Sequence, residues 1–346
     1  MNCGGSTLPP RRPREKRRPA IPLTMSSRPA HSVRNLPSSI RITTSKTRFI
    51  LNPCSGHIRR RPGLVTAIRA FIAKHGLDAD LALTERRGQA TELARAAVAQ
   101  GYERVVAVGG DGTMNEVGRA LVDQPAVLAL VPCGSGNGLA RHLGIPTQPR
   151  RALALLVNPA ARVVRIDTGL ANGHPFFNAA GAGFDAEISR RFNQLERRGL
   201  AAYLRTGVAA FADHRGESVT LSDGEGHQET INAFFVMVAN SEQYGNHARV
   251  APGACVDDGL LDLVAVRTPS VAEAVVLLGR LFLGTFHRSR HVLHWRSARF
   301  VIERPAAGLI HTDGETHDTG ATLEIVVRPQ SLRLLVPTAC VVAADA

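Results

Sequence analysis

No G-K-[S/T] triplet occurs anywhere in the 346 residues, which removes the P-loop as a means of holding a nucleotide. Cys3, Cys54, Cys133, Cys255 and Cys340 are odd in number, widely spaced and without a C-x-x-C pair. That pattern argues against a disulfide framework or a zinc site, and for a reducing, cytoplasmic setting. No run of 18 or more apolar residues is present, so no transmembrane helix is expected. Nor does an apolar segment follow the N-terminal charges, as a secretory signal would require. Aromatic residues are scarce at 5%, although a hydrophobic share of 44% suffices for a folded interior.

Acidic residues are also in short supply, and the formal charge is +13. Residues 1–45 hold nine Lys/Arg against Glu15 alone, a net of +8, which leaves +5 for the other 301 residues. The folded part is therefore only mildly basic, and nucleic acid is not the expected partner. The Pro-, Arg- and Ser-rich tail reads as disordered. It is either an unstructured extension or a segment that docks on an anionic surface.

What is present begins at residue 47, where strand-like and helix-like segments alternate. Strands are expected at Thr47–Leu51, Leu77–Thr84, Val105–Val108 and Val127–Val131, with helices at Gly63–His75 and Gln89–Gln100. This alternation implies a parallel sheet with covering helices. Glycine-bearing corners follow three of the strands, at Asn52–Gly56, Gly109–Thr113 and Gly134–Gly138. In open α/β sheets the carboxyl ends of the strands line the ligand crevice, so the three corners are expected at one rim. The central one, VVAVGGDGTMNEVGRAL, reads as strand, tight turn and helix. Apolar residues recur from Met114, and Thr113 is placed to cap the helix. Glycines and a helix N-terminus together suit a phosphate, although the G-x-G-x-x-G pattern fails at Asn115.

Beyond residue 160 the texture becomes mostly β, interrupted by a helical stretch over Phe184–Phe211. The expected division is a basic tail (1–45), an α/β domain (46–160), an antiparallel β domain (161–320), and C-terminal strands (321–346) that return to the first domain. Two acidic corners stand out. VDDGLLDLVAV places Asp257 and Asp258 beside Gly259, as either a hairpin turn or an oxygen site for Mg2+. HTDGETHDTG places Asp313, Glu315 and Asp318 in a short loop, which is either a solvated hairpin or the source of a general base. His287, His291 and His294 stand among arginines that would repel a metal. Val271–Phe286 is an apolar helix, either a packed core element or a surface that meets lipid.

Six motifs in order, NPCSG (52–56), GGDGTMNEV (109–117), PCGSGNGLARHLGIP (132–146), NAAGAGFDAEI (178–188), APGACVDDGLLDLVAV (251–266) and TDGE (312–315), resemble the diacylglycerol kinase catalytic family in its bacterial soluble lipid-kinase branch. The resemblance covers residues 47–336. It implies an α/β nucleotide domain, a β-sandwich domain and an active site in the cleft between them. ATP is the implied phosphoryl donor, Mg2+ the cofactor, and a lipid hydroxyl the acceptor, reached peripherally at a membrane surface.

By the same resemblance, Asn52, Ser55, Gly56 and Thr84 match nucleotide contacts. So do Gly109, Gly110, Asp111, Gly112, Thr113 and Asn115 in the central loop, and Gly134, Ser135, Gly136 and Asn137 in the third. Asp313 matches the general base, with Glu315 beside it and Asp111 by the triphosphate. Cys255 and Leu260 (through carbonyls) and Asp258 match a structural Mg2+ site. Gln89 and Gly138 depart from the usual pattern. Diacylglycerol or a related glycerolipid is the expected acceptor. A sphingosine or ceramide kinase, a NAD kinase and a non-catalytic nucleotide or lipid sensor stand as rivals, and a homodimer is compatible with the sequence.

Overall fold

The computed structural model describes residues 45–55, 58, 63–193, 214, 216–245 and 248–338. The basic tail, apart from Ser45, lies outside the described residues, as does the end of the helical stretch expected over Phe184–Phe211.

The first half alternates as expected: β1 (Thr47–Leu51), α1 (Leu64–His75), β2 (Ala79–Leu83), α2 (Gln89–Ala99), β3 (Arg104–Gly109), α3 (Asp111–Leu121) and β4 (Val127–Pro132). Two short helices follow, α4 (Gly138–His142) and α5 (Pro149–Leu155). The four strands are parallel in the order β4-β3-β1-β2. β3 and β4 are buried at every position. This accounts for their unbroken apolar runs, since helices cover both faces of such a sheet. α1 buries Leu64 and Ile68 and ends at Gly76, whose left-handed φ of 56° lets its amide reach back to Ala73 and Ile72.

The second half is antiparallel. It comprises β5 (Arg162–Ala171), β6 (His174–Phe176), β7 (Ala179–Gly183), α6 (Phe184–Asn193), β8 (Glu217–Ser222), β9 (Gln228–Ala239), β10 (Gln243–Gly245), β11 (Ala248–Arg249) and β12 (Leu261–Arg267). Next come α7 (Val271–Phe282), β13 (Val292–Ser297), β14 (Arg299–Glu303), β15 (Gly308–Thr312), β16 (Glu315–Thr319) and β17 (Thr322–Val336). A core of Phe176, Val219, Leu221, Val238, Leu263, Phe300 and Ile325 fills the space between these strands. The α/β plus antiparallel β architecture read from the sequence is thus the one observed.

The C-terminal strands expected from residue 321 onward are a single strand, β17. β17 pairs antiparallel with β14 near its start, antiparallel with β5 along its length, and parallel with β4 at Leu334↔Leu128. Its pairing with β5 shifts register between Arg328 and Leu332, at a bulge with Gln330 at φ 50°.

The halves also meet through packing. Phe177, fully buried just before β7, joins the core of the α/β half and lies against Gly118 of α3. A Cβ at position 118 would fall 2.8 Å from the Phe177 ring. Gly118→Val is therefore expected to lower stability by roughly 1–3 kcal/mol through overpacking, read from the urea midpoint, with partial recovery when Phe177→Leu is added.

Candidate active site

β1, β3 and β4 lie side by side and in register, with Leu51 opposite Val108 and Gly109 opposite Pro132. Their carboxyl ends therefore fall together, and the three corners converge. At the first, Asn52 Oδ1 accepts from the Cys54 amide at 2.9 Å, fixing the turn that carries Ser55. The second and third corners touch backbone to backbone: a Cβ on Gly134 would sit 2.6 Å from the Cα of Gly110. A Cβ on Gly110 would lie 3.1 Å from Gly134 Cα and 3.5 Å from Ser55 Oγ. Glycine is thus required here by close approach of chains. Gly56 lies outside the described residues. Thr84, buried at the end of β2, borders the same rim and donates its amide to the Leu51 carbonyl at 2.9 Å.

The helix after the central corner starts earlier than its apolar spacing suggests. Gly110 is the N-cap, and Asp111 opens α3. Thr113 does not cap; it is buried inside the first turn, where Gly109 leaves room for its side chain. Asp111 reaches across to the third corner, accepting from the amides of Asn137 (2.8 Å) and Gly138 (3.0 Å). Asn137, at φ 53°, brackets Gly134 with its amide side chain, accepting from Gly134 N at 3.0 Å and donating to Gly134 O at 2.8 Å. A Cβ on Gly136 would approach Asp111 Oδ2 at 2.9 Å. Ser135 lies half-buried within this turn.

Asp313 and Gly314 form a two-residue hairpin between β15 and β16, both with positive φ (51° and 85°), as a type I′ turn requires. At Asp313 the hairpin is half-buried and tied to the rest of the protein. Its carboxylate accepts from the amides of Phe177 (2.9 Å), Asn178 (2.9 Å) and Ala179 (3.0 Å), and from Asn115 Nδ2 on α3 (2.7 Å). One turn along α3, Arg119 bonds both to Asn115 Oδ1 (3.0 Å) and to Glu315 (2.7 Å). Arg87 holds the other oxygen of Glu315 at 2.6 Å. Asp318 is exposed and stands apart from this network.

These surroundings give the carboxyls different characters. Burial pushes Asp313 above the usual carboxylate range, against the pull of its four donors. Burial likewise raises Asp111, opposed by the Asn137 and Gly138 amides and reinforced by the charge of Asp313. For Glu315 burial also works against ionisation, but Arg119 and Arg87 prevail and hold it below its ordinary value. Of the two acids in the TDGE loop, Asp313 is the more basic.

Of the set expected for structural Mg2+, the carboxylate of Asp258 is already engaged by other groups. Asp258 Oδ1 accepts from the Leu260 amide at 3.1 Å, and Oδ2 is ion-paired with Arg296. Arg296 also lies 3.3 Å from Asp262, which His294 contacts at 2.7 Å. One oxygen of Asp262 is buried without a hydrogen-bond partner, yet the charge of that carboxylate is already faced by Arg296. Cys255 contributes its thiol to Asp257 at 2.9 Å, and burial pushes that thiol up to about 12. Among the described residues no three His, Cys, Asp or Glu side chains are grouped to hold a metal. A guanidinium stands where the cation's charge was expected.

Arg87, Arg119 and Arg296 are the site residues missed in the sequence. Arg119 follows Asn115 by four positions on one helix face, a legible neighbour relation. Arg296 belongs to β13, whose alternation of Leu293 and Trp295 with His294 and Arg296 is a strand signal hidden by the histidines.

Comparison with known proteins agrees with the motifs. The family model described as the diacylglycerol kinase catalytic domain matches residues 46–170. The model described as the YegS C-terminal NAD kinase beta sandwich-like domain matches residues 178–336. The chain is 36% identical over 273 residues to a "Probable lipid kinase YegS-like" of Pseudomonas fluorescens, covering 76% of this chain and 87% of that one. It is 30% identical over 276 residues to a "Diacylglycerol kinase" of Bacillus subtilis, covering 78% and 89%. The fold is similar to a crystal structure of a diacylglycerol kinase from Bacillus anthracis str. Sterne, with TM-score 0.64 and 21% identity over 86% of this chain and 98% of that one.

Two outcomes follow from the electrostatics. With Arg296 in the cation's place, thermal midpoints in excess Mg2+ and in chelator should agree within about 2 °C, since only a ligand bound to the native state raises the midpoint. Burial lowers His142 to about 4, and its Nδ1 accepts from the Glu242 amide at 3.4 Å. The unfolded chain takes up that proton near 6.5, so this contribution is complete above that value and is lost as pH falls towards 4. Asp167, raised by burial to about 6, acts in the opposite sense over part of that window. The comparison is therefore between variants: His142→Gln should flatten the acid limb of urea midpoint against pH relative to the wild type.

Proposed function

The chain belongs to the diacylglycerol kinase family of lipid kinases, and from that premise we propose that it transfers the γ-phosphoryl group of ATP to the hydroxyl of diacylglycerol or a related glycerolipid at a membrane surface. The observation that carries this reading is the bond between Asn115 and Asp313. It fixes a half-buried carboxylate to the same helix whose first turn forms the central glycine corner.

ATP enters as its Mg2+ complex, as substrate. A Cβ at Gly112 would meet nothing within 4 Å, which leaves space for the phosphates beside the first turn of α3, whose helix end favours negative charge. Asp111 braces the second corner against the third through Asn137 and Gly138. The acceptor oxygen attacks the γ-phosphorus, the bond from that phosphorus to the bridging oxygen breaks, and ADP leaves. The hydroxyl proton passes to Asp313, whose raised basicity suits that role. Asn115 is the donor the hydroxyl displaces, because it is a side chain whereas the other three donors are main-chain amides. Glu315, held by two arginines, keeps the hairpin against α3 and takes no proton. Phosphoryl transfer needs chiefly positioning and charge neutralisation, so this small set suffices.

The test is incubation with labelled ATP and mixed lipids, with NAD and long-chain amino-alcohols included, and identification of the product by mass. Asp313→Asn should lower turnover at least ~100-fold while ATP affinity and circular dichroism stay unchanged. Activity near that of the wild type would remove the base assignment, and phosphorylation of NAD alone would replace the lipid reading.

A further inference from the structure

Helix α7 presents its apolar side outward. Val271, Val275, Val276, Leu278, Phe282 and Leu283 are all exposed, Leu283 by 77% and Val275 by 67%. Positions 271, 275, 278 and 282 form one stripe of the helix, and 276 and 283 lie on the stripe beside it. Only Leu277 and, in part, Leu281 turn inward, packing with Met237, Val264, Val266 and Phe286. A helix on a globular surface ordinarily buries its apolar arc and exposes a polar one. Here the uncharged arc faces out.

This exposure is not fraying. Ser270 and Glu273 form a reciprocal capping box at the start of the helix. Arg290 (3.2 Å) and His291 (3.0 Å) tie Glu273 to the segment that follows. The helix is built to hold these side chains where they are.

Charge says what covers the face. Residues 271–296 contain Arg280, Arg288, Arg290 and Arg296 against Glu273 alone, a net of +3. Arg288 and Arg290 are exposed beside the apolar arc. A second copy of the same face would bring like charges together, whereas an anionic bilayer offers both an acyl boundary and phosphate headgroups. A relay of contacts runs from this helix towards the site already described. Gly284, just past α7, lies against Arg249, where a Cβ would approach Arg249 Cδ at 3.2 Å. Arg249 pairs with Glu242 at 3.1 Å, and the Glu242 amide reaches His142 of α4, the helix that follows the third glycine corner.

We propose that the outer face of α7 is the surface by which this protein docks on an anionic phospholipid bilayer. Val275, Val276, Leu278 and Leu283 enter the acyl boundary, and Arg280, Arg288 and Arg290 meet headgroup phosphates. The docking places the rim of the cleft at the lipid surface, which is where the proposed acceptor resides; only that purpose rests on the proposed reaction.

The test is co-sedimentation of the full chain with vesicles of phosphatidylcholine, and of phosphatidylcholine mixed with phosphatidylglycerol. The wild type should partition at least ~10-fold more strongly onto the mixed vesicles. The double substitution Val275→Glu, Val276→Glu, at exposed positions, should reduce that partition by about 10-fold or more. Its thermal midpoint should be unchanged, as should its activity on a short-chain acceptor dispersed in detergent, while activity on acceptor embedded in vesicles falls in parallel with binding. Equal partition of the two proteins would overturn the proposal, since docking would then belong to the tail or to another face. A wild-type dimer that the substitutions dissociate, with vesicle binding unchanged, would overturn it in favour of an interface between copies. If neither protein phosphorylates any lipid, the proposed reaction fails while the partition experiment still decides the docking face.

Discussion

Two residues one turn apart on α3 hold the whole site in register. Asn115 donates to Asp313 and Arg119 pairs with Glu315, so the hairpin of the β half is keyed to the helix that begins at the central glycine corner. The same helix receives Phe177 at Gly118, one position before Arg119. Polar positioning and apolar packing therefore refer to a single rigid element. A shift of α3 would move the phosphate corner, the proton acceptor and the contact between the halves together.

The carboxylates of the molecule show how differently one functional group can be treated. Asp313 is met by three main-chain amides and a carboxamide, Glu315 by two guanidinium groups, and Asp167 by the amides of Gly259 and Gln330 in full burial. Amide donors stabilise negative charge without supplying a countercharge, so burial prevails and the group stays basic. Guanidinium groups supply the countercharge, and the group becomes a fixed anion. Asp258 is likewise faced by a guanidinium, that of Arg296.

The glycine corners were legible because strand order alone brings the ends of β1, β3 and β4 to one edge, and their glycines mark where the backbones meet. The start of α3 was less so: Gly110 caps by backbone conformation and Thr113 lies within the helix, whereas the apolar spacing becomes visible only from Met114. The arginines of the site were illegible for a different reason. Arg119 and Glu315 are 196 positions apart, and nothing local to either names the other. The orientation of α7 was likewise beyond periodicity, since an apolar arc reads the same whether its neighbours enclose it or leave it bare. Burial, not sequence pattern, separates the two.

β17 has a mechanical meaning for the cleft. It runs unbroken from the β14 pairing to Leu334 beside β4, so the halves share a continuous strand as well as packed surfaces. Chains joined by a slack tether can separate in any direction, but two bodies sharing a strand can move only by twisting or flexing it. The weak point is the bulge between Arg328 and Leu332, and even there Asp167 holds the Gln330 amide while Thr168 and Ser331 are joined at 2.8 Å. Any relative movement of the two halves therefore has to twist or flex β17, and the bonds that brace its bulge resist that movement.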